Sequence, residues 1–339
     1  MTESLLDSPL PIAAAPMAGG PTTLALARAV ADAGAFPFLA GGYKTAAALA
    51  EEVHQLRSAA SSFGVNLFVP STDVVNAAAF AAYVDELSSE AAAYELDLDP
   101  TPLVDDDQWD AKLDLLLDDP VPVVSFTFGL PEASAISSLK KAGSRVLATV
   151  TTPQEAVQAQ DAGADALIVQ GPDAGGHSAT FDPERPPKPV STPPLVRQVL
   201  RAVDLPVIGT GGIDGPDAIR DILTAGAQAA AVGTMLLRTD EAGTSPTHKH
   251  ALGDRAFTET VLTRAFTGRP ARALRNGFAD RHRDAPIGYP AIHHLTRPLR
   301  QAAAAAGDPD RLHLWAGTGW QAAPTGPATD VIRHLTEGA

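Results

Sequence analysis

The stretch Arg145–Gln170, RVLATVTTPQEAVQAQDAGADALIVQ, decides the fold. It opens on one apolar run, Arg145–Val150, and closes on another, Ala166–Gln170. Neither run alternates with polar residues, which is how parallel strands buried on both faces read. Between them Thr152-Pro153 starts a helix, with Pro at a first helical position where its missing N–H costs nothing. Ala162-Gly163 ends that helix, because Gly can adopt the left-handed conformation that closes it. The stretch is therefore a strand–helix–strand unit of a parallel sheet.

The same unit recurs in both directions. Strands are predicted near Ile12–Met17, Phe36–Ala40, Gly64–Val69, Val121–Phe128, Pro206–Gly209 and Ala229–Gly233 besides the two above. Helices are predicted over Thr22–Ala33, Lys44–Ser58, Asp73–Glu90, Glu132–Ala142, Pro153–Ala162, Pro194–Val203 and Pro216–Ala225, with a last one after Pro246. Gly215-Pro216 repeats the Pro start, and Ala33-Gly34, Ala142-Gly143 and Ala225-Gly226 repeat the Gly stop. Eight alternations favour an α/β fold of the closed (β/α)₈ TIM-barrel type over an open sheet. The chain has 339 residues, and a barrel takes roughly 250 plus insertions. The barrel is assigned to residues 1–254. An Asp-rich insertion is read at about 97–119, with a short helix around Trp109–Leu117. Residues 255–339 are expected to form a C-terminal extension that packs on the barrel as a small substrate-side subdomain and covers its mouth. There Arg264–His294 is mixed and basic, and Arg297–Ala306 reads as helix.

Composition narrows the function classes. Hydrophobic residues make up 45% and aromatic residues 5%, so small side chains fill the core. A net charge of −15 repels phosphate polymers and anionic membranes. An anionic cofactor must then be held by local backbone N–H groups. The absence of cysteine excludes disulfides, thiol catalysis and cysteine-ligated metal. Residues Met1–Pro11 carry Glu3 and Asp7 and no basic residue, unlike a signal peptide. No stretch of about 18 apolar residues is seen. A cytoplasmic enzyme, monomer or homodimer, acting on a small molecule is expected.

Barrel active sites form at the carboxyl ends of the strands, and four places there stand out. Ala15-Pro16-Met17-Ala18-Gly19-Gly20 follows the first strand, and its glycines admit close approach of a ligand. Asn66 interrupts the apolar Gly64–Phe68, and a buried amide needs partners, such as the edge of a heterocycle. Gln170 and Gly175-Gly176-His177 open a long loop; Gln170 could bond a heterocycle. His177 brings the side chain whose pKa lies nearest neutrality. Gly211-Gly212-Ile213 and Gly233-Thr234 follow the last two strands, where barrels often hold phosphate on loop N–H groups. Each glycine stretch also reads as a plain turn, and Asn66 as a core amide satisfied by backbone. His248, His250, His293 and His294 lack carboxylates at ligand spacing and read as solvated, so no metal is expected. Asp105-Asp106-Asp107 reads as a helix start with a solvated face. No Walker-type or dinucleotide-binding loop is present.

At these residues the chain resembles the nitronate monooxygenases, formerly called 2-nitropropane dioxygenases. The likeness runs through Ala15-Pro16-Met17-Ala18-Gly19, Gly64-Val65-Asn66-Leu67-Phe68, Gln170-Gly171, Ala174-Gly175-Gly176-His177, Gly211-Gly212-Ile213 and Gly233-Thr234. It continues through Gly268-Arg269-Pro270-Ala271-Arg272, Tyr289-Pro290 and Leu314-Trp315-Ala316-Gly317. The resemblance implies noncovalent FMN contacted by Met17, Asn66, Gln170, Gly175, Gly212, Gly233 and Thr234. Their neighbours Ala18, Gly176 and Gly211 complete the expected cofactor-binding set. It implies His177 as the catalytic base and a nitronate and dioxygen as reactants. Tyr289 and Arg297 are expected substrate contacts from the tail. The chain departs from the family at Asp173, where Glu is common, and at Ser178-Ala179, where Arg-Gly is usual. The missing Arg removes a cation from the substrate side. Two alternatives remain: an FMN-dependent NAD(P)H enoyl-ACP reductase, and a flavin-free phosphate-binding barrel isomerase or aldolase.

Overall fold

The computed structural model of the chain describes residues 5–71 and 75–337. Glu3 and the expected helix start at Asp73 lie outside the described residues. The strands are β1 (Ile12–Ala14), β2 (Phe38–Ala40), β3 (Gly64–Phe68), β4 (Val123–Thr127), β5 (Arg145–Val150), β6 (Ala166–Gln170), β7 (Gly176–His177), β8 (Val207–Thr210), β9 (Ala229–Val232), β10 (Thr260–Thr263) and β11 (Ala271–Leu274). Eight of them form one parallel sheet in the order β1-β9-β8-β6-β5-β4-β3-β2. Ala14 N donates to Phe36 O at 2.9 Å and Phe36 N to Ile12 O at 2.8 Å, which closes the ring between its ends. The fold is the expected (β/α)₈ barrel.

Local chemistry explains why the wall helices start where they do. Thr23, Thr45 and Thr152 each accept the N–H three residues on, at 3.0, 3.1 and 3.1 Å. Such a cap stabilises a helix by roughly 1 kcal/mol. The barrel interior is narrow because Ala13, Ala166, Ala229 and Ala231 leave room for the Phe36 and Phe38 rings, set edge to face at 5.1 Å. Leu5 and Leu6 join this cluster. Leu5 is tied to Gln228, just before β9, and to Arg145, at the start of β5. Leu5 and Leu6 thus plug the amino ends of the strands and leave the carboxyl ends open.

The connections differ from expectation in three places. The helix Trp109–Asp118, within the expected insertion, packs against helices Ala46–Arg57 and Ala133–Ala142 and is a wall helix. The helices Ala77–Glu86 and Ser88–Ala92, read as the wall, instead set Phe80, Tyr83, Leu87 and Ala91 against Phe266, Phe278 and Ile292 of the C-terminal segment. Tyr83 donates to Ala265 O at 2.6 Å, a partner the barrel wall does not offer. Second, the helix Pro246–Ala251 is short, and the eighth wall position falls to Ala328–Leu335. That helix buries Ala328, Val331, Ile332 and Leu335 in one cluster with Val30, Ile219 and Ile222. The segment assigned to 255–339 therefore returns to the barrel at its end.

The third difference is a small antiparallel sheet, β10-β11-β7, with no counterpart in the sequence reading. Ala271 pairs with His177 and Arg272 with Gly176. The C-terminal segment is thereby stitched to the loop after β6, across the barrel mouth. Helix Ala291–Ala306 lies over the same opening. No helix among the described residues is long and apolar enough to cross a membrane.

Candidate active site at the barrel mouth

A cavity of about 580 Å³ opens at the carboxyl ends of the strands, a size usual for cofactor and substrate sites. Met17, Ala18, Asn66, Gln170, Gly175, Gly176, His177, Gly211, Gly212, Gly233, Thr234 and Arg297 all line it. Tyr289 does not. It stands behind the wall, its ring 5.8 Å from that of His177 and its hydroxyl donating to Tyr43 at 3.2 Å.

The glycines make a nest. Gly211 and Gly212 take φ of 108° and 76° after β8, which turns successive N–H groups inward. Among the described residues the N–H groups of Gly211, Gly212, Gly233 and Thr234 have no acceptor. Unpaired backbone donors at such a place call for an anion. Gly175 and Gly317 seal the nest from above, with Gly317 N donating to Thr234 Oγ1 at 2.9 Å and Thr318 N to Asp173 O at 3.0 Å. A Cβ on Gly175 would lie 2.5 Å from Gly317 N, so only glycine lets these backbones meet.

Asn66 is 3% exposed, on β3. Its Nδ2 donates to Ser125 Oγ and Thr127 Oγ1, both at 2.9 Å, which fixes the amide and leaves Oδ1 without a partner among the described residues. An acceptor so held suits a ring N–H. Gln170 differs from expectation: Nε2 donates to His177 O at 3.1 Å and Oε1 accepts from Ala179 N at 2.8 Å. Its amide chiefly shapes the loop, with one N–H left over.

His177 Nε2 lies 2.9 Å from Thr267 Oγ1, and the ring is boxed by Phe128, Tyr289 and Trp315 at 5.6, 5.8 and 5.4 Å. Thr267 donates in turn to Arg269 O. The hydroxyl then accepts from Nε2–H and leaves the Nδ1 lone pair, which has no partner among the described residues. Burial lowers the His177 pKa to about 3, and the charges of Arg269 and Arg300 add to this. The imidazole is neutral at ordinary pH.

His250 is exposed as expected, but His248 and His293 are not the solvated side chains the sequence suggested. His248 is 7% exposed, bonded to Trp315 O at 3.1 Å, with its pKa lowered to about 4 by burial. His293 is buried and stacked on Tyr43 at 4.2 Å. No group of three or more His, Asp or Glu side chains among the described residues could hold a metal. Tyr43 was missed, although it follows Gly41-Gly42 directly after β2, where the strand-end rule points. Its φ is 64°, and burial raises its pKa to about 12. Asp107 accepts its N–H at 3.0 Å and pairs at 2.7 Å with Lys112, which is 1% exposed. Asp105 and Asp106 are exposed just ahead of the helix Trp109–Asp118, as expected, and only Asp107 is drawn in, anchored under the cavity wall. Arg300 was also missed, although a charge at the spacing of Ile292, Leu299 and Ala303 on an apolar helix face was a signal. Lys44, Arg297 and Arg300 line the cavity, and Asp173 is the one carboxylate among its described lining residues.

Unspent N–H donors at the carboxyl ends of the last two barrel strands, in one cavity with a neutral imidazole, suit a phosphate-bearing ligand, and the fold and site are those of a barrel enzyme. The chain belongs to the nitronate monooxygenase family, whose sequence model matches residues 4–338. A probable nitronate monooxygenase of Staphylococcus aureus is 33% identical over 98% of this chain and 94% of the relative. The solved nitroalkane oxidase of Streptomyces ansochromogenes is 48% identical, with a TM-score of 0.93 over 97% of this chain and 96% of that one. FabK from Thermotoga maritima is 25% identical, with a TM-score of 0.75 over 99% of this chain and 96% of that one. The protein is a flavin-dependent oxidoreductase.

Proposed function

We propose that this chain oxidises alkyl nitronates with dioxygen to a carbonyl compound and nitrite, using FMN held in the barrel mouth. The observation that carries this reading is one cavity holding both the open N–H nest and the neutral His177. The nest of Gly211, Gly212, Gly233 and Thr234 would take the phosphate, and Asn66 Oδ1 an N–H of the ring, with Met17, Ala18, Gly175, Gly176 and the spare Gln170 N–H beside it. FMN supplies the electron-transfer chemistry when bound. The chain's own residues orient the substrate, exclude water with Phe128, Tyr289 and Trp315, and present the Nδ1 lone pair of His177. A nitronate is already an anion and needs no base. A neutral nitroalkane needs one, and His177 is the group placed to accept that proton. Arg297 and, through the wall, Tyr289 are substrate-side residues in this reading.

The reductase alternative has its support in the FabK likeness, at about half the identity of the nitroalkane oxidase neighbour. Anaerobic titration of the purified protein separates the two. A change in the flavin's visible spectrum with propionate 3-nitronate, and none with NADPH, supports the proposal. Bleaching by NADPH alone overturns it.

A further inference from the structure

We propose that Arg300 is the anion-binding residue of this site, holding the negative charge of the substrate and so making the site prefer a nitronate to its neutral nitroalkane. This rests on the reading above. Arg300 lies on helix Ala291–Ala306, lines the cavity and is 7% exposed. Its Nε donates to Thr296 Oγ1 at 3.1 Å and its Nη2 to His293 O at 2.8 Å. Thr296 is itself tied to Phe266 O, and His293 is stacked on Tyr43, so the plane of the guanidinium is fixed. Nη1 has no partner, and no carboxylate lies within ion-pair distance of Arg300, among the described residues.

A buried cation without a counter-charge is costly, and proteins as a rule pair one. A chain with a net charge of −15 has carboxylates in excess, yet places none here. The missing partner therefore arrives with a ligand. The other cations of the cavity are placed otherwise: Lys44 is paired with Glu52 at 2.6 Å, and Arg297 is exposed. Asp173 lies against Gly212, on the side of the phosphate nest, where backbone donors already serve an anion. Arg300 instead stands with His293 and Tyr43, and its charge also acts on His177. Nη2 also lies 3.2 Å from His293 Nδ1, so it is the N–H groups of Nη1 that remain to meet an anionic oxygen.

The test uses holoenzyme with Arg300→Met and Arg300→Lys. Arg300→Met takes the donors from Thr296 Oγ1 and His293 O, and melting curves check that the fold is kept, with Arg300→Lys as the milder variant. A charge-assisted hydrogen bond of about 1.5–3 kcal/mol corresponds to about 10- to 140-fold. In Arg300→Met, kcat/KM for ethyl nitronate is expected to fall by that factor, mainly through KM, with nitroethane changed less than about threefold. Arg300→Lys should recover part of the loss. Nitrate, a planar anion that does not react, should bind the wild-type holoenzyme in calorimetric titration and bind Arg300→Met weakly. An unchanged ratio between the two substrates with unchanged nitrate binding overturns the proposal. So does an equal loss on both substrates that follows weaker FMN binding, which would make Arg300 a cofactor ligand. Failure of the wild type to oxidise either substrate would sink the functional reading instead, and nitrate binding would still decide the role of Arg300.

Discussion

Replacing Gly175 by Ala perturbs the site at its tightest point. The added Cβ would lie 2.5 Å from Gly317 N, 2.6 Å from Ala316 C and 2.9 Å from Ala316 Cα, where ordinary contact begins at 3.4 Å. All three are backbone atoms, so no rotamer change relieves them. The two segments must separate, and that weakens the Thr318 N to Asp173 O bond that closes the nest. Overpacking of this kind costs about 1–3 kcal/mol. If the strain is relieved by opening the nest, FMN affinity falls by about 5- to 140-fold. Quenching of FMN fluorescence on titration with apoprotein measures this directly. Gly143→Ala is the control: it strains a positive φ, of 105°, but nothing lies within 4 Å and it caps a remote wall helix. Gly175→Ala with wild-type FMN affinity and a wild-type melting curve would refute the assignment of this loop to the cofactor wall.

Three further outcomes are expected. His177→Asn should cost neutral nitroalkanes about 10²–10⁴-fold in kcat, the usual worth of a general base, and preformed nitronates only a few-fold. Equal losses would mean that His177 only binds. Lys112→Met leaves Asp107 unpaired beneath Tyr43 and should destabilise by about 3–5 kcal/mol in urea melts. The double variant with Asp107→Asn should regain most of it, and no recovery would argue against a direct pair. The His177 and His248 rings titrate at about 3 and about 4, below their ordinary 6.5. The unfolded chain therefore takes up their protons first. Their contribution to stability is complete above pH 6.5 and declines as pH falls toward 4, by about 1.4 kcal/mol per pH unit for each ring. His248→Gln should remove one proton's share from that slope in denaturant melts between pH 7 and 5; an unchanged slope would contradict the assignment.

The barrel was legible because its signals are local. Thr152-Pro153, the Ala-Gly helix ends and the apolar strands each act within a few residues, and six of the eight wall helices needed no more than that or a cap. What failed depends on distant partners. Helix Ala77–Glu86 has a good apolar stripe, but nothing within it says that Phe80 and Tyr83 face Phe266 rather than the barrel. β7 is two residues long and exists only because Arg272, far along the chain, pairs with Gly176. The strand-end rule gathered the glycines, Asn66 and His177 into one cavity. Arg300 joins them from helix Ala291–Ala306, beside His293, and Tyr43 is fixed by stacking on that same His293 from the C-terminal segment.

The most direct test of the account is nitrite release and oxygen uptake by the purified yellow protein supplied with ethyl nitronate and no other reductant. Nitrite and a carbonyl product formed together, in step with oxygen and without NADPH, are expected. Oxidation of NADPH with the nitronate left intact would contradict it.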